Sequence, residues 1–426
     1  MTGPVGARQT RAGRRCRKVT ATDGSRPTDL LVAFFGLGIA WLLIAAAVAV
    51  IYAAGGWSPG QWLPLHLALV GGVSQLVLGA SQFFVGASLA TTPPPRSLVR
   101  AQLGTWNVGT MLVAAGVTAR VDVVTGAGAV LLVVGLLLLG AGFRSMRRRS
   151  LQLLPWAARW YHACTAFLTV GVLVGALLAR GTTWPPGSLL GAHLVLNVSG
   201  WLGTAIVGTL HTFYPSLTQT RLRFPRLQPR AFAAWVSGTA ALACGYGFDL
   251  PLLAVAGWLG LTLGSAFLAA NLLASTRQAS APLSLPARLV ATGQCFLVAG
   301  LLVGLAAALA HGPATPMAGA ERSAIAVLLL AGWLGLTVFG ALLHLLSVLA
   351  RVRHLTPALP RPSSMHEGAL PALAGLGVLG VAAAQLLSVE RLVHPAAAAV
   401  VLAYVVLMAR VTLLATRALR HDELGI

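Results

Sequence analysis

Apolar positions run along this chain in long unbroken stretches, not in the period-two alternation of strands or the narrow stripes of soluble helices. Most stretches approach or exceed the roughly 20 residues that an α-helix needs to cross hydrocarbon. They fall at about 30–54, 63–90, 98–119 and 121–142, then 154–179, 188–213, 231–248 and 251–274, and finally 289–310, 322–350, 369–388 and 392–416. Helix-breaking segments separate most of them, such as Thr91-Thr92-Pro93-Pro94-Pro95, Trp184-Pro185-Pro186-Gly187 and Pro360-Arg361-Pro362. The pattern predicts an all-α integral membrane bundle of about twelve transmembrane helices. One membrane domain would cover residues 29–418, between a basic tail at 1–28 and a short tail at 419–426. The seventh stretch is the short one, and the break at Arg120 and Asp122 is the narrowest boundary.

Polar side chains are expensive in hydrocarbon, so those kept inside a span carry information. The densest set lies in the sixth stretch, Gly191-Ala192-His193-Leu194-Val195-Leu196-Asn197-Val198-Ser199-Gly200-Trp201-Leu202-Gly203. Helical spacing places His193, Asn197, Gly200, Trp201, Thr204, Gly208 and His211 along one stripe. That stripe is predicted to face other helices, where its small residues admit a neighbour or a flat cofactor. Gln75, Gln82, Asn107 and Asn271 are expected to satisfy one another across helices. No carboxylate sits in the middle of a stretch, which argues against a proton- or cation-coupled transporter.

Composition fits the pattern: the 426 residues are 57% hydrophobic and 9% charged, with mean hydropathy +0.81. Soluble domains carry about 25% charge. The formal net charge of +21 would suggest nucleic acid, but the basic residues are arginines in short loops, with Lys18 the single lysine. With the N-terminus in the cytoplasm and the spans alternating, 26 of the 30 basic residues fall inside. Arg120, Arg180, Arg322 and Arg391 fall outside, one per loop. This asymmetry sets topology, so both termini are expected in the cytoplasm and no nucleic-acid partner is expected. The N-terminal tail has no apolar core followed by a cleavage site, so the first helix is expected to direct insertion. Cys16, Cys164, Cys244 and Cys295 are scattered, which indicates neither a thiolate metal site nor a disulfide framework. The Ala-, Gly- and Arg-rich composition suits a GC-rich bacterium.

The chain also repeats itself. Gly-Trp-Leu-Gly occurs at 200–203, 257–260 and 332–335, in spans six, eight and ten, which run in the same direction. In spans six and ten the likeness extends into Gly208-Thr209-Leu210-His211 and Gly340-Ala341-Leu342-Leu343-His344. An ancestral unit repeated around a pseudo-symmetric bundle is the reading we adopt.

Histidines are the candidates for chemistry, because neutral imidazole suits haem iron and copper. The topology sorts His66, His193, His311 and His394 toward the outer side, and His162, His211 and His344 toward the inner. His66 and His193 fall at similar depth and are candidate axial ligands of one haem. Together with His394 they form a candidate three-histidine copper site. An interhelical hydrogen bond is the structural alternative for each, and the simpler one for His394, which precedes Pro395 at a helix start. His211 and His344, near the arginine-rich rim, are candidate contacts to a haem's propionates or to interfacial water. Arg159-Trp160-Tyr161 reads as an interfacial anchor, with an arginine holding a propionate as the alternative.

These residues carry a family likeness. Gly191-Ala192-His193 through Gly200-Trp201, continuing to Gly208-Thr209-Leu210-His211-Thr212-Phe213-Tyr214-Pro215, resembles the haem-binding helix of the haem-copper oxidase superfamily. The second histidine of that family's pair falls on Val195, and span ten resembles the back half of the same helix with Ile325 at the leading histidine. The sequence has no adjacent His-His pair and no His-Pro-Glu-type element, so the resemblance does not extend to an oxygen-reducing binuclear centre. It is closer to NnrS-like twelve-span proteins of the nitric-oxide response and to actinobacterial membrane proteins called copper oxidases by similarity. In those a segment like His66-Leu67-Ala68-Leu69-Val70-Gly71-Gly72-Val73-Ser74-Gln75 is also typical.

The resemblance implies an inner-membrane protein holding haem, of b type, and copper, through His193 and His66 with His394, and with His344, His211, Asn197 and Trp201 near the cofactor. It would act in nitric-oxide or copper handling or in electron transfer, surrounded by membrane lipid, with a redox partner protein and as an oligomer. Two readings of other classes stand beside it: a cofactor-free permease or channel, and a membrane subunit that docks a redox complex.

Overall fold

The computed structural model describes residues 27–55, 60–152, 155–184, 186–354 and 368–419. The two tails therefore lie almost wholly outside the described residues, as do His366 and His421. Among the described residues the chain is helical without strands, and twelve long rods follow one another. They are α1 Pro27–Ala53, α2 Trp62–Ser88, α3 Arg96–Ala119, α4 Asp122–Arg149, α5 Trp156–Ala179 and α6 Leu189–Thr218. Then come α7 Leu227–Gly247, α8 Pro251–Gln278, α9 Leu285–His311, α10 Gly319–Arg351, α11 Ala369–Leu386 and α12 Glu390–Leu419. Each coincides with one expected stretch to within about five residues at either end, except that α4 runs on through its arginines to Arg149. Ten are long and apolar enough to cross a membrane by length and composition.

The other two, α3 and α7, are 24 and 21 residues long and miss on apolarity alone. The seventh stretch is thus longer than its apolar core suggested. Both rods lean on the rod that follows through backbone-close glycine seams. A methyl on Gly116 would lie 2.5 Å from the Thr125 nitrogen, and one on Gly245 would lie 2.5 Å from the Ala254 nitrogen. Lipid gives helices no hydrophobic drive to associate, so such close packing supplies the attraction. The left-handed turns that join these pairs also match, with φ of 58° at Arg120 and 51° at Asp249.

Those correspondences are part of a larger repeat. A constant offset of 129 residues carries α2–α4 onto α6–α8: Trp106 onto Trp235, Gly109 onto Gly238, Gly128 onto Gly257. A further offset of 132 carries α6 onto α10. Glycines eight apart on α2, α6 and α10 each meet bulky side chains seven apart on the preceding rod. Gly71 and Gly79 meet Trp41 and Phe34; Gly200 and Gly208 meet Phe167 and Trp160; Gly332 and Gly340 meet Phe296 and Leu289. The repeated unit therefore begins at spans two, six and ten. The expectation that span eight shares it is corrected: α8 is an unbroken α-helix, and its Gly257 is the counterpart of Gly128, not of Gly200.

What marks the three homologous rods is a change of helix type. Each winds into a π-helix in its middle, at Leu67–Val73, Val195–Gly203 and Val327–Gly335. Wider turns weaken the regular carbonyl ladder, and the freed groups find other partners. The residue following two of these segments bonds back five positions, Ser74 Oγ to Leu69 O at 2.7 Å and Thr204 Oγ1 to Ser199 O at 3.1 Å. The same carbonyl of each unit is also capped from outside. Trp106 Nε1 donates to Val70 O, Trp235 Nε1 donates to Ser199 O, and the Tyr404 hydroxyl donates to Ala331 O.

Candidate metal centre

The π segment of α6 divides the expected stripe. His193, Gly200, Gly208 and His211 look toward α5, whereas Trp201 donates to Ser74 Oγ on α2 and Thr204 meets Trp235 on α7. Of the two expected occupants of the space over the small residues, a neighbouring helix or a flat cofactor, it is the neighbouring helix that fills it at Gly200 and Gly208. Phe167 fills the space over Gly200, and Trp160 fills that over Gly208. Trp201, 2% exposed, is a packing and hydrogen-bonding residue between two rods.

At one end of the bundle the structure brings His66 and His193 together. Their ring centroids lie 6.3 Å apart with an interplanar angle of 18°, and Trp62 lies 4.2 Å from His66 at 23°. His66 Nδ1 is 2.8 Å from Trp62 O, and His193 Nδ1 is 3.1 Å from Gly171 O on α5. A carbonyl can only accept, so each Nδ1 carries the proton and each Nε2 keeps its lone pair, the arrangement of a metal-ligating imidazole. Asn197 Nδ2 donates to His193 O at 2.7 Å and sits 3.2 Å from its Nδ1. Asn197 thus braces His193 from one turn along the helix. Gly175 is the floor beneath the ring: a methyl there would lie 2.8 Å from His193 Cε1.

The other candidate ligands are elsewhere. His394 is exposed near the start of α12, and among the described residues no three His, Cys, Asp or Glu side chains are grouped to hold a metal ion. The three-histidine copper site is therefore not assembled. His211 is 1% exposed, donates Nδ1–H to Val207 O at 2.8 Å, stacks 5.9 Å from Trp160, and has no partner at Nε2. His344 lies edge-on to Phe213 at 5.5 Å. Arg159 sits 4.5 Å over its neighbour Trp156, as an interfacial anchor does.

The polar residues expected to pair across helices do so in part. Gln82 Nε2 donates to Gln102 Oε1 at 3.0 Å, and Asn107 receives Trp41 Nε1 at 2.7 Å while facing Gln75 at 3.5 Å. Asn271 instead clamps the backbone of Phe224, accepting from its N–H and donating to its carbonyl. A loop carbonyl and amide cannot be read as side-chain partners from sequence, which is why this pairing differs.

No protein-family profile and no curated protein matches this sequence. Among solved structures, the chain resembles a heme-copper terminal oxidase dimer determined by cryo-EM. The TM-score is 0.67 at 14% identity, over 93% of this chain and 85% of that one. At that identity the likeness concerns the fold: this is a multi-pass helical membrane protein of heme-copper-oxidase-like architecture.

Proposed function

We propose that this protein is a membrane metalloprotein of redox type, of the NnrS-like kind, with His66 and His193 as the ligands of haem iron or copper. The observation that carries it is the pair of near-parallel imidazoles whose Nδ1 atoms are both tied to carbonyls. With Nδ1 tied in this way, the Nε2 atoms of both rings keep the lone pairs that a metal ion would take. Bound there, haem iron or copper would supply one-electron transfer or binding of a diatomic gas. His66 and His193 would hold it, Gly171 O and Asn197 would fix the His193 ring, and Trp62 would cover the His66 ring. The heme-copper terminal oxidase fold supports a redox setting, and its dimeric relative is consistent with an oligomer. Action in nitric-oxide or copper handling, the bacterial inner membrane and a redox partner protein belong to this proposal.

The permease reading has less support, since a cavity among α2, α6 and α10 is lined almost wholly by apolar side chains. The test is the absorption spectrum and metal content of the purified protein and two variants. The wild type is expected to show a haem band or bound copper. His193→Ala and His66→Ala should each lose most of it while remaining inserted and folded. A wild-type protein without haem or copper, or equal metal in all three proteins, would overturn the proposal.

A further inference from the structure

The three homologous rods meet around a shared axis, and the space between them is not filled. A cavity of about 90 Å³ lies on the far side of the π segments from His66 and His193. Most of its wall is built in layers with one residue from each of α2, α6 and α10 at equivalent repeat positions, and Phe35 of α1 and Tyr161 of α5 complete it. The layer that opens it is Ala80, Thr209 and Ala341, and the layer beyond is Phe84, Phe213 and Leu345. Small side chains at one level of all three rods leave room, and bulkier ones line the next level.

The wall offers little to a water molecule: its polar side-chain atoms are the hydroxyls of Tyr161, Thr209 and Thr337, and the first two are bonded to each other. Thr209 Oγ1 donates to Ala205 O at 2.6 Å, so the Tyr161 hydroxyl, 2.5 Å away, donates to Thr209. Thr337 Oγ1 accepts from Gln294 Nε2 at 3.0 Å. A buried water needs two to four polar partners, and apolar cavities without them stay dry and take apolar guests; an engineered one of roughly 150 Å³ takes benzene or xenon. From this geometry we infer that the axial cavity is a binding site for one small apolar molecule, smaller than benzene, of the size class of a diatomic gas. The site stands apart from the histidine pair. Seven residues separate His66 from Val73, the first α2 residue at the cavity wall, about 10 Å along a helix, and the inference does not rest on metal binding.

The experiment is xenon binding by the purified protein in nanodiscs, followed by xenon magnetic resonance, with the site located by cryo-EM under xenon pressure. Ala341→Leu fills the small layer, and Ala341→Val is the milder variant that guards against a folding failure. The wild type should bind one xenon on the axis, and the valine and leucine variants should lose it in that order, with thermal stability retained. Absence of xenon in the wild type would overturn the inference. So would equal xenon in the variants, or a lipid chain or ordered waters occupying the cavity.

Discussion

His193 is held from three sides by groups that themselves have little freedom: a backbone carbonyl on α5, an asparagine on its own helix and a glycine floor. The glycine makes a sharp test of position as opposed to identity. Gly175→Ala puts a methyl 2.8 Å from Cε1 of the ring, the movable end of the side chain, so the ring yields and the backbone need not. Alanine is also favoured over glycine inside a helix by about 1 kcal/mol. We therefore expect Gly175→Ala to keep the melting temperature near wild type while lowering bound haem or copper, read by absorption and metal analysis. At the other end, His344→Gln should leave that spectrum unchanged. His193 and His211 are 18 residues apart, about 27 Å along the helix, and no single ion spans that. A spectrum lost with His344→Gln but kept with His193→Ala would move the centre to the opposite end. The pair His66 and His193 was legible in sequence because the topology set both at one depth. Gly171 and Gly175 were not, since two glycines in a chain with 48 of them carry no mark of what they face.

At the scale of the helix, the π segments place hydrogen-bond donors with a logic that predicts unequal costs for equal substitutions. Trp235 and Trp333 are both 1% exposed. Trp235 Nε1 donates to Ser199 O at 3.2 Å and Thr204 Oγ1 at 3.1 Å, satisfying the widened turn of α6. Trp201 reaches the Ser74 hydroxyl at 2.8 Å, but Trp333, its counterpart one unit on, reaches Gly203, which has no hydroxyl. The Trp333 N–H is left without a partner. Replacing either Trp235 or Trp333 by Phe removes the same volume, so the difference between them reports the hydrogen bonds. Trp235→Phe should cost about 1 kcal/mol more than Trp333→Phe, measured by unfolding in mild detergent, since a net hydrogen bond is worth about that much. Equal losses would mean that the capping of the π segment contributes nothing. The repeated Gly-Trp-Leu-Gly pointed to a repeat but misplaced one copy. Its sequence does not distinguish a tryptophan within a π segment, as in α6 and α10, from Trp258 on the unbroken α8, whose indole donates to the Tyr246 hydroxyl at 2.9 Å. The truer signal was the offset of 129, which the glycines at 109, 116 and 128 share with those at 238, 245 and 257.

For the whole molecule, hydropathy and punctuation were enough to find every rod, because burial in lipid writes itself into each stretch independently of packing. They were weakest at the short stretch of α7 and at the narrow break at Arg120 and Asp122 between α3 and α4; α3 and α7 are also the two rods whose apolarity falls short. Whether those two rods cross decides the arrangement of everything between them. If all twelve cross and the N-terminus is cytoplasmic, a reporter fused after Ser150 reads as inside, and reporters after Gly187 and Ala318 read as outside. If α3 and α7 both fail to cross, the sides of Ser150 and Gly187 exchange while Ala318 keeps its own, since two missed crossings restore the order. Ser150 and Gly187 therefore carry the test. The arginines favour the first outcome: Arg147, Arg148 and Arg149 end α4, and Arg149 ties down the Thr92 and Pro93 carbonyls of the preceding loop. Three cationic groups beside that loop belong on the cytoplasmic face under the positive-inside rule. We expect Ser150 to read inside and Gly187 outside; the reverse at both would leave ten crossings and turn the α4 arginines outward.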